Sequence, residues 1–210
     1  MVILPKYKNK KVAIYGMGKT GFSAAKFLIK LKAQVFCWDD NKKIRQKMKF
    51  YPTKFWLSKY KIDKILVSPG IDIKKSKIKK YLTKYKEKII TDLDLFFEAN
   101  KNSEIISITG TNGKSTTCKL IEKILKTAKY NVKTVGNIGN PILATNKTKK
   151  KYIYILEASS YQLEYSKLFK SRHAAILNIS SDHLERHKNI KNYSKIKSRI
   201  FYAQKGSDYS

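Results

Sequence analysis

The chain is poor in the residues that announce a special architecture. Its 210 residues include two cysteines, four prolines and nine glycines, and Arg45, Arg172, Arg186 and Arg199 are its only arginines. Cys37 and Cys118 stand alone, with no C-x-x-C pair and no metal-ligand spacing. That excludes a disulfide framework or a zinc site and points to reduced thiols in a cytoplasm. No apolar run approaches the roughly 20 residues of a membrane span, and Met1–Lys6 is too short a stretch for a secretory signal. There is no internal repeat, and low complexity is confined to lysine-rich turns such as Lys147–Lys151. Acidic residues are also scarce, 15 against 46 basic ones, for a formal charge of +31. Base and phosphate readout leans on arginine forks. Here the basic residues are almost all lysines, spread along the chain in the pattern an AT-rich genome imposes. The charge reads as a solvated lysine surface, and no nucleic-acid or membrane partner is expected.

What is present is an apolar fraction of 42%, enough for real cores. Short apolar runs alternate with helical patterns, which predicts parallel sheets with crossover helices. In a first unit, residues 1–98, strands are expected at Lys11–Tyr15, Gln34–Trp38, Lys64–Ser68 and Lys88–Thr91, with a helix over Gly21–Leu31. In a second, residues 99–210, they are expected at Ile105–Thr109, Val132–Val135, Tyr152–Glu157 and Ala174–Asn178. A short helix over Asp92–Asn100 would end at the boundary, and another would span Tyr193–Phe201.

The most informative residues are Gly110-Thr111-Asn112-Gly113-Lys114-Ser115-Thr116, between the apolar run Ile105–Ile108 and an amphipathic stretch from Cys118 to Leu125. Strand, glycine-bearing turn, Lys-Ser and helix make a phosphate-binding loop. The glycines let backbone N–H groups converge on phosphate oxygens, and the helix N-terminus adds a favourable dipole. Lys114 would reach the β/γ-phosphates and the Ser115 hydroxyl would ligate Mg²⁺. The spacing fits the general G-x-x-x-x-G-K-[ST] pattern only if its first glycine is relaxed to Ser107 or Ile108.

The first unit carries a second glycine signature, Gly16-Met17-Gly18-Lys19-Thr20-Gly21, directly after a strand, with Asp39 and Asp40 about 20 residues on. Such a turn binds dinucleotides or other diphosphates, and a nucleotide-linked oxidoreductase is one reading of it. Further along, Gly136–Pro141 forms a tight turn after a strand. Glu157 ends a strand where phosphate-loop enzymes place a Mg²⁺ carboxylate, and Ala158–Leu163 follow it. Asp182-His183-Leu184-Glu185-Arg186-His187 lies beyond the last expected strand, where α/β sheets bind ligands. His183 and His187 are therefore candidates for metal or substrate contact.

Taken together and in this order, GTNGKST, SPGI (Ser68–Ile71), GNIGNP, EASSYQL and N-I-x-x-DHLERH resemble the Mur ligases of peptidoglycan synthesis. Within that family, GMGKTG combined with GTNGKST is most similar to the members that add D-glutamate to UDP-N-acetylmuramoyl-L-alanine. The resemblance implies a Rossmann-like N-terminal domain and a phosphate-loop NTPase-like central domain. It implies an ATP-dependent ligase that works through an acyl-phosphate, with two Mg²⁺ ions. Gly18, Lys19, Thr20, Asp40, Asn41 and Gly70 would lie near the uridine diphosphate, and Asn137 and Ser159 would face the muramoyl-peptide end. Ser115 and Glu157 would hold one ion, and His183 would help to hold the other. Tyr193–Ile200 is similar to the family helix Y-x-x-x-K-x-R-I, whose lysine is carbamylated, so Lys197 is expected to be a carbamate that ligates metal. Family members continue into a third domain for the incoming amino acid, so the chain is expected to be an N-terminal portion, and a monomer.

Overall fold

Val12, Ala13, Ile14 and Tyr15 of β1 (Lys11–Tyr15) are all buried, which places apolar groups on both faces of the strand. Strands covered on both sides read as continuous apolar runs and belong to parallel sheets. In the computed structural model, which describes residues 4–136, 141–144 and 152–210, every named strand pair is parallel. The first sheet has the order β2-β1-β3-β4, with β2 at Gln34–Trp38, β3 at Lys64–Val67 and β4 at Ile89–Ile90. Helix α1 (Lys19–Lys30) covers it with Ala24, Ala25 and Leu28 while Lys26 and Lys30 face solvent. Two short helices follow, α2 (Lys42–Gln46) and α3 (Lys79–Lys84), and then α4 (Asp92–Ala99).

The second sheet has the order β6-β7-β5-β8, built from β5 (Ile105–Thr109), β6 (Val132–Gly136), β7 (Ile153–Glu157) and β8 (His173–Ile176). Its helices are α5 (Lys114–Thr127), α6 (Ser160–Leu163), α7 (Leu184–His187) and α8 (Ile190–Lys197). This is the α/β architecture with two mainly parallel sheets that the alternation predicts.

The differences are at element ends. The strand expected over Lys88–Thr91 shrinks to two residues, because Lys86–Lys88 form a 3-10 turn and Thr91 is committed to capping α4. Thr91 accepts from the Asp94 N–H and Asp94 accepts in return from the Thr91 N–H, a capping box. The helix expected over Tyr193–Phe201 begins earlier, at Ile190, under an Asn189 cap, and tightens into a 3-10 turn at Ser198–Phe201.

The two sheets share one core. Leu93 and Phe96 of α4 cluster with Leu28 of α1 and with Ile142, Leu143 and Tyr154 of the second sheet's surroundings. Phe96 meets Tyr154 edge-on, with ring centroids 5.1 Å apart. Asp94 clasps the seam: its Oδ1 accepts from the Ser166 hydroxyl at 2.7 Å and from the N–H groups of Lys167, Leu168 and Phe169 at 2.9, 2.8 and 3.2 Å. The two glycine turns follow β1 and β5, each at the C-terminal edge of its sheet, where open α/β sheets bind ligands.

Candidate functional site

Gly113 caps α5 with φ 80°, a left-handed conformation that side chains resist. With no side-chain cap there, the first N–H groups of α5 are available to an anion. The loop is braced by the segment after β8. Asn112 donates its N–H to Asn178 Oδ1 at 2.9 Å, and Asn178 Nδ2 returns a bond to Asn112 O at 3.2 Å. Thr111 donates its N–H to Asn178 O at 3.1 Å and accepts from the Ser180 N–H at 3.0 Å. Sequence reasoning saw Asn178 only as a strand end and missed this bracing role. The available signal was a polar amide closing the apolar run Ala174–Leu177 just before DHLERH.

Two ammonium groups meet on one carbonyl of this loop. Lys114 Nζ donates to Gly110 O at 2.8 Å and to Thr111 O at 2.7 Å. Lys197 Nζ donates to the same Gly110 O at 2.7 Å and sits 4.6 Å from the centre of the Tyr193 ring. Lys197 is 1% exposed. Burial, and then repulsion from Lys114, pull its pKa down to about 8, while Asp182 opposes the shift. Lys197 therefore carries an amine unusually ready to lose its proton; Lys195, two residues away, is exposed.

Ser115 donates its hydroxyl to Glu157 Oε2 at 2.8 Å, so a residue in the first turn of α5 and the residue ending β7 form one pair of hard oxygens. Mg²⁺ takes few protein oxygens and keeps several waters, and this pair fits such an ion. His183 meets the Tyr193 ring edge-on, with ring centroids 6.4 Å apart. Its own φ is 53°, its side chain is 41% exposed, and Asp182 Oδ2 and Glu185 Oε1 lie 3.4 and 3.8 Å from its ring nitrogens. The Tyr161 ring packs against it at 4.9 Å. His187 is buried: its Nε2 is 3.0 Å from the Ser160 hydroxyl, and desolvation lowers its pKa, favouring a neutral ring. Among the described residues no group of three or more His, Cys, Asp or Glu is gathered as a metal cluster. Ser159 uses its hydroxyl to cap α6 with Gln162, and Asn137 lies outside the described residues.

In the first unit Gly21 allows the turn to close. A Cβ there would lie 1.9 Å from Gly16 O, so helix α1 can approach β1 only with glycine at this position. Gly18 and Lys19 are exposed at the open start of α1, Thr20 is half-buried, and a Cβ on Gly70 would meet open space. Asp39, which the sequence marked with Asp40 as the acidic partner of the glycine signature, is the residue that shapes the turn. Its Oδ2 accepts from the Met17 N–H at 2.7 Å and its Oδ1 from the Asn41 N–H at 2.8 Å. Asp40 faces Tyr15 and Trp38, accepting from the Tyr15 hydroxyl at 2.6 Å and the indole N–H at 3.0 Å. Asn41 caps α2 through a bond from the Lys43 N–H at 2.9 Å. A dinucleotide turn of the NAD type keeps an acidic side chain for the ribose hydroxyls, whereas here both carboxylates already hold protein donors.

Both units have counterparts among known proteins. The model of the "Mur ligase MurD-like, N-terminal domain" matches residues 10–90, and that of the "Mur ligase middle domain" matches residues 108–210. The chain is similar to UDP-N-acetylmuramoylalanine–D-glutamate ligases, 39% identical to that of Wolbachia pipientis over 94% of this chain and 40% of the relative. It is 37% identical to that of Clostridioides difficile over 96% of this chain and 47% of the relative. It thus spans about half the length of these curated relatives. Among solved structures it resembles the UDP-N-acetylmuramate:L-alanyl-γ-D-glutamyl-meso-diaminopimelate ligase of Neisseria meningitides, with TM-score 0.58 and 13% identity over 95% of this chain and 69% of that one. That likeness shows the fold. The Gly110–Ser115 loop braced by Asn178, the glycine turn closed at Gly21 and the two matching domain models lead to one conclusion: the chain belongs to the Mur ligase family.

Proposed function

We propose that this chain supplies the UDP-substrate and ATP-binding portions of a ligase that joins D-glutamate to UDP-N-acetylmuramoyl-L-alanine. Residues 1–98 form the UDP-substrate domain and 99–210 the ATP-binding central domain of that reading. The observation that carries it is the pairing of two phosphate-type turns, one per sheet, across a shared core, with Lys114, Ser115 and Glu157 at the second. The names of the curated relatives support D-glutamate as the amino acid.

In this mechanism the substrate carboxylate attacks the γ-phosphorus of ATP, forming the acyl-phosphate as the bond to ADP breaks. The amine then displaces phosphate to give the amide. Such chemistry is mostly positioning and charge neutralisation. Gly110, Thr111, Asn112, Gly113 and Thr116 would cradle the phosphates with backbone N–H groups. Lys114 would turn from Gly110 O toward the γ-phosphoryl oxygens and offset their growing charge. Ser115 and Glu157 would hold a Mg²⁺ ion, which when bound neutralises phosphate charge. A second ion would be held by His183 together with Lys197 as a carbamate. That group forms when the neutral amine attacks CO₂: the N–C bond forms, an electron pair moves to oxygen, and the amine proton goes to water. The buried, destabilised ammonium of Lys197 supports this step. Gly18, Lys19, Thr20 and Gly70 would hold the diphosphate and uridine. Asp40 and Asn41 would shape their pocket, and Asn137 and Ser159 would lie toward the muramoyl-peptide.

Titration calorimetry of this chain with UDP-N-acetylmuramoyl-L-alanine and with NAD tests the reading, alongside D-glutamate incorporation by the chain mixed with the C-terminal portion of the Wolbachia relative. Preference for NAD would sink it.

A further inference from the structure

The GMGKTG turn and the Asp182–His187 turn belong to different sheets, yet one side chain spans them. Arg186, buried, donates through Nε to Glu164 Oε2 at 2.8 Å, and one Nη lies 2.7 Å from the same oxygen in an ion pair. That Nη also donates to Ile71 O, in the first unit, at 2.7 Å. The guanidinium carbon lies 5.3 and 5.7 Å from the ring centres of Tyr161 and Tyr165. Ile71 passes the constraint on. Its N–H donates to Ser68 O at 3.0 Å, and the Ser68 hydroxyl donates to Gly16 O at 2.6 Å. Its side chain presses on the turn so closely that a Cβ on Gly16 would lie 2.7 Å from Ile71 Cγ1. Two weaker ties run alongside: the Ile73 N–H to the Tyr165 hydroxyl at 3.2 Å, and Lys75 Nζ to Glu185 O at 3.4 Å.

Glu164 neutralises Arg186, and the remaining guanidinium donors need acceptors of their own once buried. The reach to a main-chain carbonyl of the other unit is the additional feature, and only a rigid fork serves both acceptors at once. His183 lies three residues before Arg186, on the same turn. We infer that Arg186 is a positioning residue that holds the GMGKTG turn in register with the Lys114–His183 site, so that one UDP-linked substrate engages both. The identity of that substrate rests on the proposed function; the mechanical tie does not. A ligand held at two sites gains from the second only when their spacing is preset, and phosphoryl transfer needs reacting atoms within about 3–3.5 Å.

The test uses this chain with spin labels at Lys30→Cys on α1 and Lys123→Cys on α5, both exposed, while the native cysteines are buried. In Arg186→Gln the distance distribution between the labels is expected to widen. Affinities for UDP and for Mg·ATP should stay within about twofold, while the extra affinity of UDP-N-acetylmuramoyl-L-alanine over UDP falls roughly tenfold. A merely structural loss would lower all three affinities together. If Arg186→Gln does not fold, Tyr165→Phe removes the oxygen that accepts from the Ile73 N–H at 3.2 Å and from the Arg186 Nη at 3.5 Å, and gives the same reading at smaller size. An unchanged distribution in the folded variant overturns the tie, and a widened one with undiminished preference overturns the positioning role. If the parent chain shows no preference for the muramoyl substrate over UDP, the proposed function fails instead, and the label distances still decide the tie.

Discussion

Asp92 opens α4 at the seam between the units and is 1% exposed. Its Oδ1 has no hydrogen-bond partner, and its one side-chain partner is Gln162, whose Nε2 donates a long bond of 3.4 Å to Oδ2 across the seam. Burial raises its pKa from 3.8 to about 6, with Gln162 and nearby backbone N–H groups opposing in part. A raised carboxylate pKa means the folded state holds the proton more tightly than the unfolded chain does. The associated stability is fully present below pH 3.8 and is lost as pH rises through about 6. That gap corresponds to about 3 kcal/mol at about 1.4 kcal/mol per tenfold in proton affinity. Asp92→Asn keeps the shape and removes the titration. We expect the variant and the parent to be equally stable near pH 4, and the variant to gain up to about 3 kcal/mol by pH 7.5. For a chain of this size that is roughly 5–10 °C in melting temperature. Urea unfolding at pH 4, 5, 6 and 7.5 measures the difference. A gap that does not change with pH, or a less stable variant at pH 7.5, would refute the reasoning.

Three further outcomes are expected. With the C-terminal portion of the Wolbachia relative supplied, Lys114→Ala should lower kcat by roughly 10²-fold or more, as loss of a charge-stabilising donor does; an effect on KM alone would assign Lys114 to uniform binding. Under the same conditions Lys197→Ala should lose activity and recover part of it with short-chain carboxylic acids, whereas equal damage from Lys195→Ala would remove Lys197 from the site. Gly21→Ala should destabilise the fold by about 1–3 kcal/mol and weaken UDP binding, because its Cβ has no room beside Gly16 O; calorimetry and thermal melts report both.

The placement of both glycine turns was legible because it lies in contiguous residues. Gly110–Ser115 and Gly16–Gly21 each follow an apolar strand and open a helix, and periodicity alone marks that order. Strand ends were less legible, since Thr91 can extend a strand or cap a helix, and its bond with Asp94 decides for the cap.

By itself, then, the sequence determined the two-sheet α/β order, the two glycine turns and the family resemblance, all of which rest on neighbours in the chain. Only the tertiary structure decided that Lys197 is buried against Gly110, 87 positions away, that Asn178 braces Asn112 across 66, and that Arg186 reaches Ile71 across 115. It also turned Asp39 inward to the Met17 N–H. No local pattern encodes these contacts, because burial and hydrogen-bond partnership depend on how the two sheets pack on their common core. The same packing puts the pKa of Lys197 at about 8, among 42 lysines that otherwise look alike in the sequence.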